Sequence, residues 1–161
     1  MVKCCILNGR KCCISIDRSH QSLSQYEFMD VARSSGRTKR YPIGTTAVVP
    51  HGKHRLFFTA LAHTDINTKK AKADIQDLWN TLEKLWQSVR NNNNGNPIAV
   101  PLMGTGLAGI SLPYLGVLEV ILLSIFAESK KGEIAKEIHV TLTEEVFSRL
   151  DLSMLVKEWS E

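Results

Sequence analysis

A glycine-punctuated stretch, Pro101-Leu102-Met103-Gly104-Thr105-Gly106-Leu107-Ala108-Gly109-Ile110, does most to limit how this chain folds, because it joins an apolar strand-like run to an apolar helix-like run. Glycine reaches positive φ without strain and lets another group approach the backbone where a Cβ would block it. A turn of this kind at a β-to-α junction bares main-chain N–H groups, which suit an anion such as a nucleotide's diphosphate. The candidate ligand contacts are therefore Met103, Gly104, Thr105, Gly106, Leu107, Ala108 and Gly109. Leu107 and Ile110 are apolar and suit a ribose or ring lying over the loop. The competing reading is a tight strand-to-helix turn with no ligand.

The residues around this loop alternate in period. Ile75, Leu78, Trp79, Leu82, Leu85, Trp86 and Val89 recur at helical spacing, predicting an amphipathic helix over residues 71–90 that stops at the Asn91-Asn92-Asn93-Asn94-Gly95 run. Trp79 and Trp86 share that stripe, which reads as core packing rather than a base-stacking platform. Residues 97–103 form a short apolar run, the pattern of a strand buried on both faces, and residues 112–128 continue as a helix with Pro113 in its first turn. Lys130-Lys131-Gly132 ends that helix, and residues 134–142 supply another strand. Thr143 then caps a final helix through Glu144, Glu145, Val146 and Phe147, and Leu155 and Trp159 are placed to dock the tail. This alternation argues for an α/β domain with parallel pairing in its second half and helices on both faces.

The first half reads differently. Residues 2–7 and 10–16 flank Asn8-Gly9, the pair that best tolerates a two-residue type I′ hairpin turn. In that register Cys5 faces Cys12 and Cys4 faces Cys13, on opposite sides of the ribbon, which disfavours a four-cysteine metal site and leaves the thiols as small packing groups. Residues 33–40 form a basic loop, either a solvated connector or a phosphate contact, closed by Tyr41-Pro42. Residues 43–49 and 55–63 are β-rich and predict a second antiparallel pair across Pro50-His51-Gly52-Lys53. A loop is expected over residues 65–70. The division is residues 1–32, a Cys-rich hairpin with a polar segment, and residues 33–161, a nucleotide-binding unit, within one compact domain.

The formal charge of +4 permits an anionic ligand but falls short of a polybasic nucleic-acid binder. Residues 1–3 lead into a Cys-rich segment rather than a long apolar leader, so a cytoplasmic location is expected. The longest apolar stretch, residues 115–127, contains Glu119 and falls short of the ~20 residues of a bilayer span, so no transmembrane segment is expected in this chain.

Gly104, Gly106 and Gly109 fit G-x-G-x-x-G, the dinucleotide-binding fingerprint, yet the first acidic residues past the next strand, Glu144 and Glu145, stand far beyond the spacing at which that motif holds a ribose hydroxyl. A Walker A loop fails too, since no Gly-Lys-Ser or Gly-Lys-Thr is present to close it. The chain instead resembles macro domains, specifically the divergent macro domain of Thoeris-type antiphage defence effectors. The resemblance rests on Lys39-Arg40-Tyr41-Pro42-Ile43-Gly44-Thr45-Thr46, on Ala60-Leu61-Ala62-His63-Thr64, and on the 101–110 stretch, and it runs from about Arg33 to Trp159. The N-terminal part of the family pattern, an Asn-containing strand end and a first glycine-rich loop, is not found before Arg33.

This resemblance implies a three-layer α/β/α domain with a mixed sheet, binding ADP-ribose or a derivative and needing no cofactor. It assigns the diphosphate and distal ribose to Gly104, Thr105, Gly106 and Leu107. It further implies a sensor of an NAD-derived nucleotide in antiviral defence, with a TIR-domain enzyme as the source of that signal. His63 follows an apolar strand end, where it either faces the ligand or packs as an ordinary terminal histidine. No H-E-x-x-H, G-x-S-x-G or carboxylate pair at helical spacing marks a catalytic centre. Three readings stand: a non-catalytic ADP-ribose-type sensor, a macro-type ADP-ribosyl hydrolase, and a truncated remnant that binds nothing.

Overall fold

The computed structural model describes residues 6–7, 10–11, 27–29, 39–65, 67–68, 70–106 and 108–159. The expected N-terminal hairpin is present in its inner rungs, where β1 (Ile6–Leu7) pairs antiparallel with β2 (Arg10–Lys11) in the register Leu7↔Arg10. The four cysteines and residues 33–38 of the basic loop lie outside the described residues. Next, β3 (Phe28–Met29) pairs with β4 (Lys39–Arg40), whose Arg40 guanidinium donates to the Thr64 carbonyl at 3.0 Å.

The second hairpin comprises β5 (Thr46–His51) and β6 (His54–Thr59), in the register Thr46↔Thr59 to His51↔His54. Its strands run closer to the turn than the sequence implied, so only Gly52-Lys53 remains between them, with Gly52 at φ +59°. Pro50 sits inside β5 opposite Arg55, a place open to proline because, among the described residues, the hairpin forms a two-stranded sheet whose strands are both edge strands. Asp65 organises the expected loop by accepting from the Asn67 and Thr68 amides at 2.9 and 2.6 Å.

Helix α1 (Ile75–Asn92) starts later than residue 71, because Ala71–Lys72 is β8, paired antiparallel with β7 (His63–Thr64). Asp74 fixes the start: its carboxylate accepts from the Asp77 amide at 2.8 Å, and the Asp77 carboxylate accepts from the Asp74 amide at 3.2 Å. The helix buries Leu78, Leu82, Leu85, Trp86 and Val89, as the periodicity predicts, whereas Ile75 at its first turn is half exposed. Trp86 is fully buried and its indole N–H donates to the Ser124 hydroxyl at 2.9 Å; Trp79 is partly exposed.

After α1 come β9 (Ile98–Pro101), α2 (Tyr114–Ser129) and β10 (Ile138–Thr141). β9 and β10 are parallel, Ile98 opposite Ile138 and Pro101 opposite Thr141, so the α/β reading of the second half holds, with α2 as the crossover. Helix α2 begins after Pro113, not with it inside the first turn: Pro113 is an extended N-cap at ψ 157° and supplies no side-chain acceptor. α1 packs on α2 and on the β5–β6 hairpin, and Val100, Val117, Ile121 and Ile134 complete a core centred on Trp86.

Thr143 caps α3 (Glu144–Phe147), accepting from the Val146 amide at 3.3 Å, as expected. The tail forms a separate helix, α4 (Leu152–Trp159), whose Leu155 is buried; the Trp159 side chain lies outside the described part. Among the described residues, no helix is long and apolar enough to cross a membrane.

Candidate functional site

β9 delivers the chain to the glycine loop, whose shape is set by hydrogen bonds to its own carbonyls. The Thr105 hydroxyl donates to the Leu102 carbonyl at 3.1 Å, and the Ile110 amide donates to the Gly104 carbonyl at 3.4 Å. The Gly109 amide donates to the Gly106 carbonyl at 3.2 Å, and the Ala73 amide to the Ala108 carbonyl at 2.9 Å. Of these four alternate carbonyls, three close turns within the loop and one, that of Ala108, ties it to the segment ahead of α1. Among the described residues, the amides of Gly104, Thr105, Gly106 and Ala108 meet no acceptor. The open amides of Gly104, Thr105 and Gly106 are successive, an arrangement that suits an anion, while the Gly109 and Ile110 amides are spent within the loop.

Two of the glycines carry positive φ, Gly104 at +91° and Gly109 at +65°. They do different work. A Cβ on Gly104 would lie 2.5 Å from Ile110 Cδ1, so this glycine admits the Ile110 side chain beneath the loop. A Cβ on Gly106 or Gly109 would meet nothing within 4 Å. Ile110 is 7% exposed and belongs to the core, which corrects the expectation that it covers a ribose: it anchors the loop from below. Met103 and Ala108 also pack partly against the core, while Leu107 lies outside the described residues.

The junction differs from a phosphate loop that runs straight into its helix, since residues 111–113 separate Ile110 from α2. At α2 itself the first intrahelical bond is from the Val117 amide to the Pro113 carbonyl, 3.1 Å. Its N-terminal amides carry no side-chain cap because proline has none to offer.

His63 lies on β7, opposite Lys72, with a side chain 69% exposed and its Nε2 3.8 Å from Asp77 Oδ1, beyond hydrogen-bonding range. The residue after Lys72 is Ala73, the one that bonds Ala108, so the β7–β8 pair adjoins the loop's anchor. Ala73 was missed from sequence because its contribution is a backbone amide, which no residue type announces. A cleft elsewhere, between Trp79, Glu83, Ser124, Ala127, Glu128 and Lys131, holds about 100 Å³, well short of the ~300 Å³ lower range of ligand pockets.

The family model described as the Thoeris protein ThsA, Macro domain, matches residues 13–143. The chain belongs to the ThsA macro-domain family. The match encloses the glycine loop, β9 before it, α2 after it and the β7–β8 pair, so the site just described lies within the macro module. It begins upstream of Arg33 and ends at Thr143, ahead of α3 and α4. No curated protein matches the sequence. Membership in the ThsA macro family ties the chain to Thoeris antiphage defence.

Proposed function

We propose that this macro domain is a cytoplasmic, non-catalytic sensor that grips an ADP-ribose-type, NAD-derived nucleotide by its diphosphate in the 103–109 loop. The observation that carries the reading is the run of amides at Gly104, Thr105 and Gly106, with that of Ala108 beyond, which meet no acceptor among the described residues. Membership in the ThsA macro family supports a ligand of this class, and the +4 charge supports an anion. In this reading Gly106 faces the phosphates, His63 borders the ligand, no cofactor is needed, and a TIR-domain enzyme supplies the nucleotide. In this reading the chain follows the three-layer α/β/α arrangement of other macro domains, and the expected mixed sheet is met among the described residues only as separate two-stranded pieces, one parallel pair and four antiparallel pairs.

The test is calorimetric titration with ADP-ribose and with NAD, beside a turnover assay on ADP-ribosylated protein. Stoichiometric binding without turnover is expected. Gly106→Leu, placed in open space, should weaken binding at least about tenfold, ~1.4 kcal/mol, with an unchanged melting temperature. Turnover would replace the sensor reading with that of a hydrolase. A well-folded chain that binds neither nucleotide would remove the ligand altogether.

A further inference from the structure

We propose that the outer face of α2 is the contact between two copies of this chain, packed antiparallel about a two-fold axis at the level between Ser124 and Ile125. At 3.6 residues per turn, Leu115, Glu119, Leu122, Leu123, Phe126 and Lys130 fall on one stripe. It lies opposite the face that buries Val117, Ile121 and Ser124. Leu123 is 48% and Phe126 53% exposed, and they adjoin in the middle of the stripe. Glu119 stands at one side of them and Lys130 at the other, with the Lys130 ammonium held over the Phe126 ring 4.5 Å from its centroid. Glu119 makes no ion pair among the described residues.

Charge complementarity selects a second copy as the occupant. An antiparallel pairing that sets Leu123 against the partner's Phe126 sets Glu119 against the partner's Lys130 with no further adjustment, because both pairs are symmetric about the same level of the helix. Two-fold symmetry makes each contact twice, so one apolar cluster is closed at both ends by opposite charges. A single helix face is smaller than the ~800 Å² per partner of a standard interface, so the association belongs in the micromolar range or weaker.

Sedimentation velocity of the full chain, from low micromolar to about 500 μM, tests this. The wild type should shift from monomer toward dimer as concentration rises. Glu119→Lys and Lys130→Glu, both at exposed or half-exposed positions, should each weaken the dimer at least about tenfold by placing like charges together, with circular dichroism unchanged. The double swap should regain wild-type association. A wild type that stays monomeric throughout, single variants without effect, or a folded double swap that fails to regain association would each overturn the proposal. Capture of the monomer by phosphatidylcholine–phosphatidylglycerol vesicles would overturn it in favour of a lipid surface.

Discussion

Gly104 and Gly106 stand two positions apart, yet a methyl group added to each would have opposite consequences. Gly104→Ala forces an L residue to φ +91° and sets its Cβ 2.5 Å from Cδ1 of the buried Ile110, whose side-chain end must shift within a packed core. The left-handed region alone costs about 1–2 kcal/mol, and the crowding should bring the total to about 2–3 kcal/mol in denaturant unfolding. Gly106→Ala meets open space and lacks a positive φ, so its stability should stay within about 0.5 kcal/mol of wild type. That contrast shows how much of the site could be read in the sequence. The glycine cluster and its place after an apolar strand were visible; which glycine bends, which is open, and which way Ile110 points depend on contacts across the loop. For the same reason Ile110 read as a cover when it is a foundation, and Ala73 did not register at all.

At the level of elements, the most regular segment was also the most legible. The apolar stripe of α1 located the helix and its buried face, because a 3.6-residue period leaves little ambiguity over eighteen residues. Its first residue was misplaced: Ala71 and Lys72 have no propensity against helix, and only their pairing with Thr64 and His63 holds them extended. The Asp74–Asp77 pair is the signal that could have fixed the boundary. Asp74→Ala should cost about 1 kcal/mol, read as a lowered denaturation midpoint with an unchanged slope. The strands β9 and β10 are shorter than the apolar runs that announced them, since apolar residues also line the turns that enter and leave a buried sheet. The sequence points to Leu155 and Trp159 as docking residues of the tail but not to the helix α4 that carries them, because Asp151 opens a separate element by accepting from the Ser153 amide and hydroxyl.

Across the whole molecule, α1 and α2 are joined by more than apolar contact. The Arg90 guanidinium reaches the Glu128 carbonyl at 2.7 Å and its carboxylate at 3.3 Å, and the Lys131 ammonium meets Glu128 at 2.6 Å and Glu83 at 3.2 Å. Hydrogen bonds donated to Glu128 first, then to Glu83, hold the Lys131 ammonium above its ordinary 10.5. A raised lysine pKa stabilises the fold fully below about 10.5, and that contribution is lost as pH climbs through the folded value. Asp151 is shifted the other way, held below 3.8 by the Ser153 hydroxyl first and then by the Ser153 amide. Its contribution is present above 3.8 and disappears as pH falls through the lower folded value. Melting temperature plotted against pH should therefore decline at both extremes, with Lys131→Met flattening the alkaline limb and Asp151→Asn the acid limb. Both limbs should remain shallow, because each group is open to solvent.

The bond from Ala73 to Ala108 has a bearing on how the fold tolerates change. One short stretch of chain both fixes where the longest helix begins and sets the height of the glycine loop, so the two share a single datum. Lengthening or shortening that stretch would displace the glycine loop and the principal helix together, and length variation in such a domain has to be accommodated elsewhere.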